Sequence, residues 1–329
     1  MDASEDELVA AVRRVASDGA PGVLVGIGDD AAVLETGQGA LVLTTDALVE
    51  GVHFERGSVS ARDLGYKAIV VSVSDIAAMA ASPRYALVSL ALAPDVDERW
   101  VVELYGGMRV ACEEYAMSLV GGDLSSAREV FISVTVAGEV APGRAIPRSG
   151  ARPGDRLVVT GTLGASAGGL RLTREGRRAD IAAQWGRGLI AAHQRPAARV
   201  GEALTLAAAG ASAMMDISDG LAKDLSRMCT ESGVGARLDV AAVPVSPWLE
   251  PLAASLGADP LELALSGGED YELLVAMETS DVPQAREELR SRFGVPLSEV
   301  GEVIEEGLVA LWPDGEERPL EPRGWEHFG

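Results

Sequence analysis

The sequence predicts an α+β protein of two domains, on three observations. Its 329 residues exceed one typical core and suit about two. Strand-like and helix-like segments mix without the regular alternation of a parallel βαβ sheet. A segment dense in Pro, Gly and Arg, APGRAIPRSGARPGD at Ala141–Asp155, interrupts the periodic segments. A boundary inside it divides the chain into residues 1–145 and 146–329.

The elements follow in order. Ser4 and Glu7 have capping-box spacing ahead of an apolar-periodic run to about Ala16. GIGDDAAVL, Gly26–Leu34, reads as a Gly/Asp loop. ALVLTTDALV reads as a buried strand ending at polar residues. Ser60 and Asp63 precede a long helix, about Arg62–Ala80. Tyr85–Leu92 is a strand, Asp97–Tyr115 a helix, and Ser118–Val120 and Val130–Val140 are strands. Past the junction, RLVVTG is a strand leading into the Gly-rich GTLGASAGGL, and helices fill about Gly164–Ala209. MMDISDG is a short strand entering a helix that reaches about Glu231. RLDV, YELLVAM and two runs near Val300 and Leu308 are further strands. No tandem repeat is present.

Hydrophobic residues make up 47% and charged residues 24%, enough apolar content for a core in each half. The 28 basic and 50 acidic residues give a net charge of −22. So acidic a surface argues against nucleic acid or anionic membranes as main partners. Lysine occurs only as Lys67 and Lys223. Cys112 and Cys229 have no Cys or His at metal spacing, and buried free thiols in a reducing cytoplasm are expected. The acidic, amphipathic N-terminus lacks the plan of a signal peptide, and no apolar run reaches the ~20 residues of a membrane span.

The chemical signal is a set of Asp residues at strand ends and in Gly-rich turns. Asp29 and Asp30 lie in GIGDD. Asp46 follows Thr44 and Thr45, Asp123 follows Gly121 and Gly122, and Asp216 and Asp219 flank Ser218 in MMDISDG. Strands ending in Asp put carboxylates at a sheet rim, where site loops gather. Mg²⁺ takes one or two carboxylates together with phosphate oxygens. Against this, Asp in turns and caps is ordinary. Asp75, in SVSDIAAMA, is different: among apolar neighbours an unpaired carboxylate is costly, so a cation partner is expected. The phosphate-loop and protein-kinase signatures are absent. Any nucleotide phosphate must then be met by metal ions and Arg, with Arg148 in PRSG a candidate. His53, in EGVHF, reads on spacing alone as a packed loop histidine. His193 and His327 carry no signal of their own.

GIGDDAAVL, TTDALVEGVHF, GYKAIVVSVSDIAAMAASP, GGD, GRAIPRSG, MMDISDGLAKDL, LSGGEDYEL and GWEHF occur in this order. Each is weak alone; the ordered set resembles the thiamine-monophosphate kinase family from about Gly26 onward. That family is related to aminoimidazole ribonucleotide synthetase, selenophosphate synthetase and a hydrogenase maturation factor. The resemblance implies an N-terminal α/β domain pairing into a dimeric β-barrel, and a C-terminal α/β sandwich domain. It implies ATP-dependent phosphorylation of thiamine monophosphate in a cleft between them, by direct in-line transfer with several Mg²⁺ ions. Carried over residue by residue, Asp30, Thr44, Thr45, Asp46, Asp75, Asp123, Asp216 and Asp219 match magnesium positions, Asp75 and Asp219 being the catalytic pair. Tyr105, Gly122, Asp123, Arg148 and Ser218 match ATP positions; Tyr105 aligns only loosely. His53, Glu269 and Trp325 match substrate positions, Trp325 and Glu269 serving the cationic thiazolium; the alternative for Trp325 is an anchor for the C-terminal segment. Ala80 stands where the family carries Gly. Two alternatives stay open: another ATP-using enzyme of the superfamily, and a non-catalytic thiamine-phosphate or nucleotide binder. The first 30 residues lack the Cys of selenophosphate synthetase, and WEHFG lacks the Cys-containing tail of the maturation factor.

Overall fold

The structure is a computed structural model that describes residues 6, 7, 9, 10, 13, 22–37, 39–176 and 178–327. The expected capping box at Ser4 lies outside the described residues. Two sheets carry the chain. The first joins β1 (Val23–Val25), β2 (Ala32–Thr36), β3 (Gly39–Val49), β4 (Ser82–Leu92), β5 (Ser118–Ser126) and β6 (Phe131–Val140) in the order β1-β2-β3-β6-β4-β5. The second joins β7 (Arg156–Thr160), β8 (Ala211–Ile217), β9 (Gly235–Asp239), β10 (Glu272–Met277), β11 (Leu297–Ile304), β12 (Leu308–Leu311) and β13 (Glu317–Pro319) in the order β13-β12-β9-β11-β7-β10-β8. Pairing is antiparallel except between β4 and β5 and between β9 and β12. This is why the sequence lacks a βαβ rhythm.

Burial follows the period of two. On β6, Ile132, Val134 and Val136 face the core and alternate with less buried neighbours. Strand β10 is buried at every residue: Leu274 and Ala276 join one apolar cluster, and Leu273, Val275 and Met277 another. A continuous apolar run marks such a two-sided strand.

The helix Ala61–Ala78 unites the two halves. Ser60 caps it, accepting from the Asp63 N–H. Fourteen of its eighteen residues are buried, and it packs on β3, β4 and β6 of one sheet and on β8 of the other. Its approach to the helix Glu98–Glu114 needs glycine: a Cβ on Gly65 would lie 1.9 Å from the Leu104 oxygen, and one on Gly107 would lie 1.8 Å from the Arg62 oxygen. The helix ends as Ala81 N–H reaches back to the Ile76 oxygen, with Ala80 left-handed at φ 54°. That is the conformation glycine adopts without strain.

Three expectations need correction. Residues 32–34 of the supposed Gly/Asp loop belong to β2, which pairs with β3. Strand β3 spans Gly39–Val49, as the run ALVLTTDALV suggests, but Asp46 lies inside it and not at its end. Strand β5 continues through Gly121, Gly122 and Asp123, residues of low strand propensity held by the parallel ladder with β4. The helices Leu249–Leu256, Pro260–Ser266 and Val282–Phe293 add to those anticipated. Among the described residues no helix is long and apolar enough to cross a membrane.

Candidate functional site

A cleft of about 820 Å³ is lined by residues from both sheets, within the usual range for small-molecule sites. At its base Asp30 precedes β2, Thr44 and Asp46 share one face of β3, Asp75 comes from the last turn of Ala61–Ala78, and Asp216 lies near the end of β8. Hydroxyls hold these carboxylates. Thr44 Oγ1 donates to Asp75 Oδ2 at 2.6 Å, Ser72 Oγ to Asp46 Oδ2 at 2.7 Å, and Ser74 Oγ to Asp216 Oδ2 at 2.6 Å. One carboxylate oxygen each from Asp30, Asp75 and Asp216 lie within 4.8 Å of one another.

The cluster is short of positive charge. Arg148 Nε donates to Asp30 Oδ1 at 3.0 Å, and its Nη2 reaches the same oxygen. Asp30 Oδ2 is buried without a hydrogen-bond partner. Burial, then the charges of Asp46, Asp216 and Asp30, pushes the Asp75 carboxyl well above the ordinary carboxylate range. Burial and Asp30 do the same to Asp216, and burial raises Asp46. An orphaned carboxylate oxygen among buried carboxylates is the donor set a hard divalent cation requires.

Backbone anion sites nearby are already filled. Asp270 accepts from the N–H groups of Gly164 at 2.7 Å and Ser166 at 3.3 Å, at the start of the helix Ala165–Glu175. Asp224 accepts from Ser218, Asp219 and Gly220 at 3.0–3.1 Å, ahead of the helix Leu221–Ser232. Neither Gly-rich turn therefore presents its N–H groups to a phosphate. Asp219 Oδ2 is engaged by Arg227 Nη1 at 2.7 Å and Lys223 Nζ at 3.1 Å.

The other end of the cleft is aromatic. His53 Nδ1 accepts from the Val49 N–H at 3.0 Å, which places the ring proton of the neutral form on Nε2. Burial, then His327, lowers its pKa below the ordinary 6.5. The His53 and His327 rings lie 5.1 Å apart, and Trp325 stands edge-on to His327 at 5.8 Å. Glu269, at φ 65°, pairs with buried Lys67 at 2.7 Å and His193 at 3.1 Å. Lys67, then His193, overcomes burial and holds its pKa at about 2. A carboxylate so compensated is no simple counter-ion for a cationic ligand.

The cleft thus gathers Asp30, Thr44, Thr45, Asp46, His53, Asp75, Arg148, Asp216, Ser218, Asp219, Glu269 and Trp325. The Thr45 hydroxyl turns away from the carboxylates to the Val134 oxygen, at 3.2 Å, and to Thr135. Tyr105, Gly122 and Asp123 do not line the cleft. Asp123 is exposed on the edge strand β5, opposite Ser89, with β4 and β6 between it and β3. Tyr105 packs against the core of the first sheet. Sequence reasoning passed over Lys67, Ser72, Ser74, His193 and Asp224. Two serines among the apolar residues of a helical run, VSVSD, were the signal for Ser72 and Ser74.

The family model described as AIR synthase related protein, N-terminal domain, matches residues 28–140, and its C-terminal counterpart matches residues 152–312. The chain therefore comprises two domains of mixed α/β content, each built on one sheet. Thiamine-monophosphate kinase of Aquifex aeolicus (strain VF5) is 39% identical over 306 residues, 92% of each chain. That of Escherichia coli (strain K12) is 39% identical over 320 residues, 93% of this chain and 92% of the other. A solved structure described as AaThiL complexed with AMPPCP and TMP superposes with a TM-score of 0.86 at 36% identity, covering 99% of this chain and 97% of that one. By this likeness over nearly its whole length, the chain belongs to the thiamine-monophosphate kinase family of phosphate-transferring enzymes.

Proposed function

We propose that this enzyme transfers the terminal phosphate of ATP to thiamine monophosphate, giving thiamine diphosphate. The observation that carries the reading is the meeting of Asp30, Asp75 and Asp216 from both domains within 4.8 Å, at the base of a cleft whose other end is aromatic. The relative whose description names an ATP analogue and TMP supports the choice of substrates.

Phosphoryl transfer asks a protein for positioning and charge neutralisation more than for covalent chemistry. Bound Mg²⁺ supplies that neutralisation to the phosphate oxygens. Asp30, Asp46, Asp75, Asp216 and Asp219 would hold the ions, Thr44 orienting Asp75. Asp123 would join them, and Thr45 would contribute through its backbone, its hydroxyl being turned to β6. Arg148 and Ser218 would face nucleotide phosphate. The acceptor is a phosphate monoester, already an anion, so its attack needs no strong base. Direct in-line transfer follows, without a phosphoenzyme. Trp325 offers the thiazolium an aromatic face, and neutral His53 adds no opposing charge. Glu269 shapes this end as one half of an ion pair.

We place the domain boundary at 145/146, in the junction that brings Arg148 to Asp30. We further propose a homodimer. Tyr85, Leu87, Val120 and Phe131 leave exposed apolar side chains across β5, β4 and β6, which a second copy would cover in the dimeric barrel. Gly122 and Asp123 lie on that edge strand, and with Tyr105 they would reach nucleotide across the pair. Two buried free thiols suit a reducing cytoplasm. The −22 charge argues against nucleic acid or anionic membranes as main partners.

The test is turnover with ATP, Mg²⁺ and thiamine monophosphate. Equimolar thiamine diphosphate and ADP are expected. Binding of both ligands without product would favour the non-catalytic alternative.

A further inference from the structure

Of 28 basic residues only two are lysines. Both are buried, and both end on carboxylates of the cleft, Lys67 on Glu269 and Lys223 on Asp219. An ammonium is a compact charge on a slender stem, whereas a guanidinium is a wide planar fork. Space at Lys223 is tight. A Cβ on Gly324 would lie 2.9 Å from Lys223 Cβ, 3.0 Å from its Cδ and 2.5 Å from the Asp219 carbonyl oxygen.

Lys223 Nζ donates to the Trp325 carbonyl, and it lies 3.3 Å from Glu326 Oε2 and 3.1 Å from Asp219 Oδ2. The Trp325 N–H donates to the Asp219 carbonyl at 3.0 Å. Residues 321–326 form no helix or strand. No backbone ladder fixes this stretch, so its placement depends on such point contacts. It is also the stretch that brings Trp325 and His327 to the cleft.

We propose that Lys223 is a positioning residue for the aromatic end of the cleft. Its ammonium latches the C-terminal segment to the Asp219 wall and so sets where Trp325 stands. The substrate named in the test rests on the proposed function; the latch is a property of this chain. A second consequence follows from sharing. Lys223 and Arg227 divide Asp219 Oδ2, so the ammonium competes with any divalent cation that takes this carboxylate. Removing the charge while keeping the stem moves two binding steps in opposite directions, with acceptor binding weakened and cation binding tightened.

The test compares Lys223→Met and Lys223→Gln with Trp325→Ala and with the double variant Lys223→Met/Trp325→Ala. Lys223→Met should raise KM for thiamine monophosphate about tenfold, the scale of one lost hydrogen bond to a charged group. KM for ATP should not rise. The double variant should be no worse than Trp325→Ala, because Lys223 acts through Trp325. A second readout needs neither metal nor substrate. Acrylamide quenching of Trp325, taken as the difference between each protein and its Trp325→Phe form, should increase in both Lys223 variants. The Mg²⁺ concentration at half-maximal thermal stabilisation should fall. Unchanged Trp325 quenching in both variants, or additive effects on KM, would overturn the latch; weaker Mg²⁺ binding would overturn the competition. A parent protein that fails to phosphorylate thiamine monophosphate would defeat the proposed function, while the quenching result still decides the latch.

Discussion

Replacing Asp75 with Asn should move stability and activity in opposite directions. The Asp75 carboxylate sits within 4.8 Å of oxygens from Asp30 and Asp216. At an effective dielectric constant of about 20, each fully ionised pair at that separation costs roughly 3 kcal/mol. Arg148 offsets part of the Asp30 charge, and protonation relieves part of the rest, so the net relief on removing one charge is on the order of 2 kcal/mol. Asn keeps the shape and still accepts from Thr44. At about 2 °C per kcal/mol for a chain of this size, the metal-free variant should melt roughly 4 °C higher. Turnover should fall about a hundredfold or more, as when one charge-stabilising contact is removed from an active site. The assay is thermal unfolding in chelator and in Mg²⁺, beside steady-state turnover. Mg²⁺ should stabilise the parent protein more than the variant. A variant that melts lower in chelator, or that gains as much from Mg²⁺ as the parent does, would refute the reasoning that the cluster is strained for want of a cation.

Glu269→Gln should lower stability as well as acceptor binding. It leaves buried Lys67 uncompensated, and breaking a buried pair costs roughly 3–5 kcal/mol; a normal melting temperature with only KM changed would contradict the pairing. Because the Glu269 pKa is lowered to about 2, its contribution should be present above the ordinary 4.5 and fade as pH falls toward 2. Ala80→Gly should raise stability by about 0.5–1 kcal/mol, since it removes left-handed strain at φ 54° against the entropy cost of glycine; urea unfolding checks the sign. Tyr85→Asp together with Leu87→Asp, both on the outer face of β4, should shift the sedimentation mass from dimer to monomer, and an unchanged mass would remove this face as an interface.

Much of the architecture was legible because burial writes itself into period. The apolar alternation of β6 and the unbroken run of β10 announce their strands, and the Ser60 cap announces the central helix. β2 was hidden because its five residues follow a Gly/Asp turn that dominates the local signal. β5 was read short because GGD disfavours a strand everywhere except beside a partner like β4. In the site, Asp75 stood out as a carboxylate in an apolar helix, and the ordered motifs named Asp30, Asp46 and Asp216. The Lys67–Glu269 pair joins residues far apart in sequence, and no local pattern foretells it. Glu269 consequently read as a free counter-ion. Nor does local pattern reveal that Asp123 lies on an outer strand, because a motif carries its neighbours in sequence and not its place across a sheet.

The central claim is that the cleft moves phosphate from ATP to thiamine monophosphate, and ³¹P NMR of one reaction mixture tests it most directly. With protein, ATP, Mg²⁺ and thiamine monophosphate, the monoester resonance should decay as a diphosphate appears in step with ADP, and Asp216→Asn should abolish both changes. Release of inorganic phosphate with the monoester untouched, or no change at all, would contradict the account.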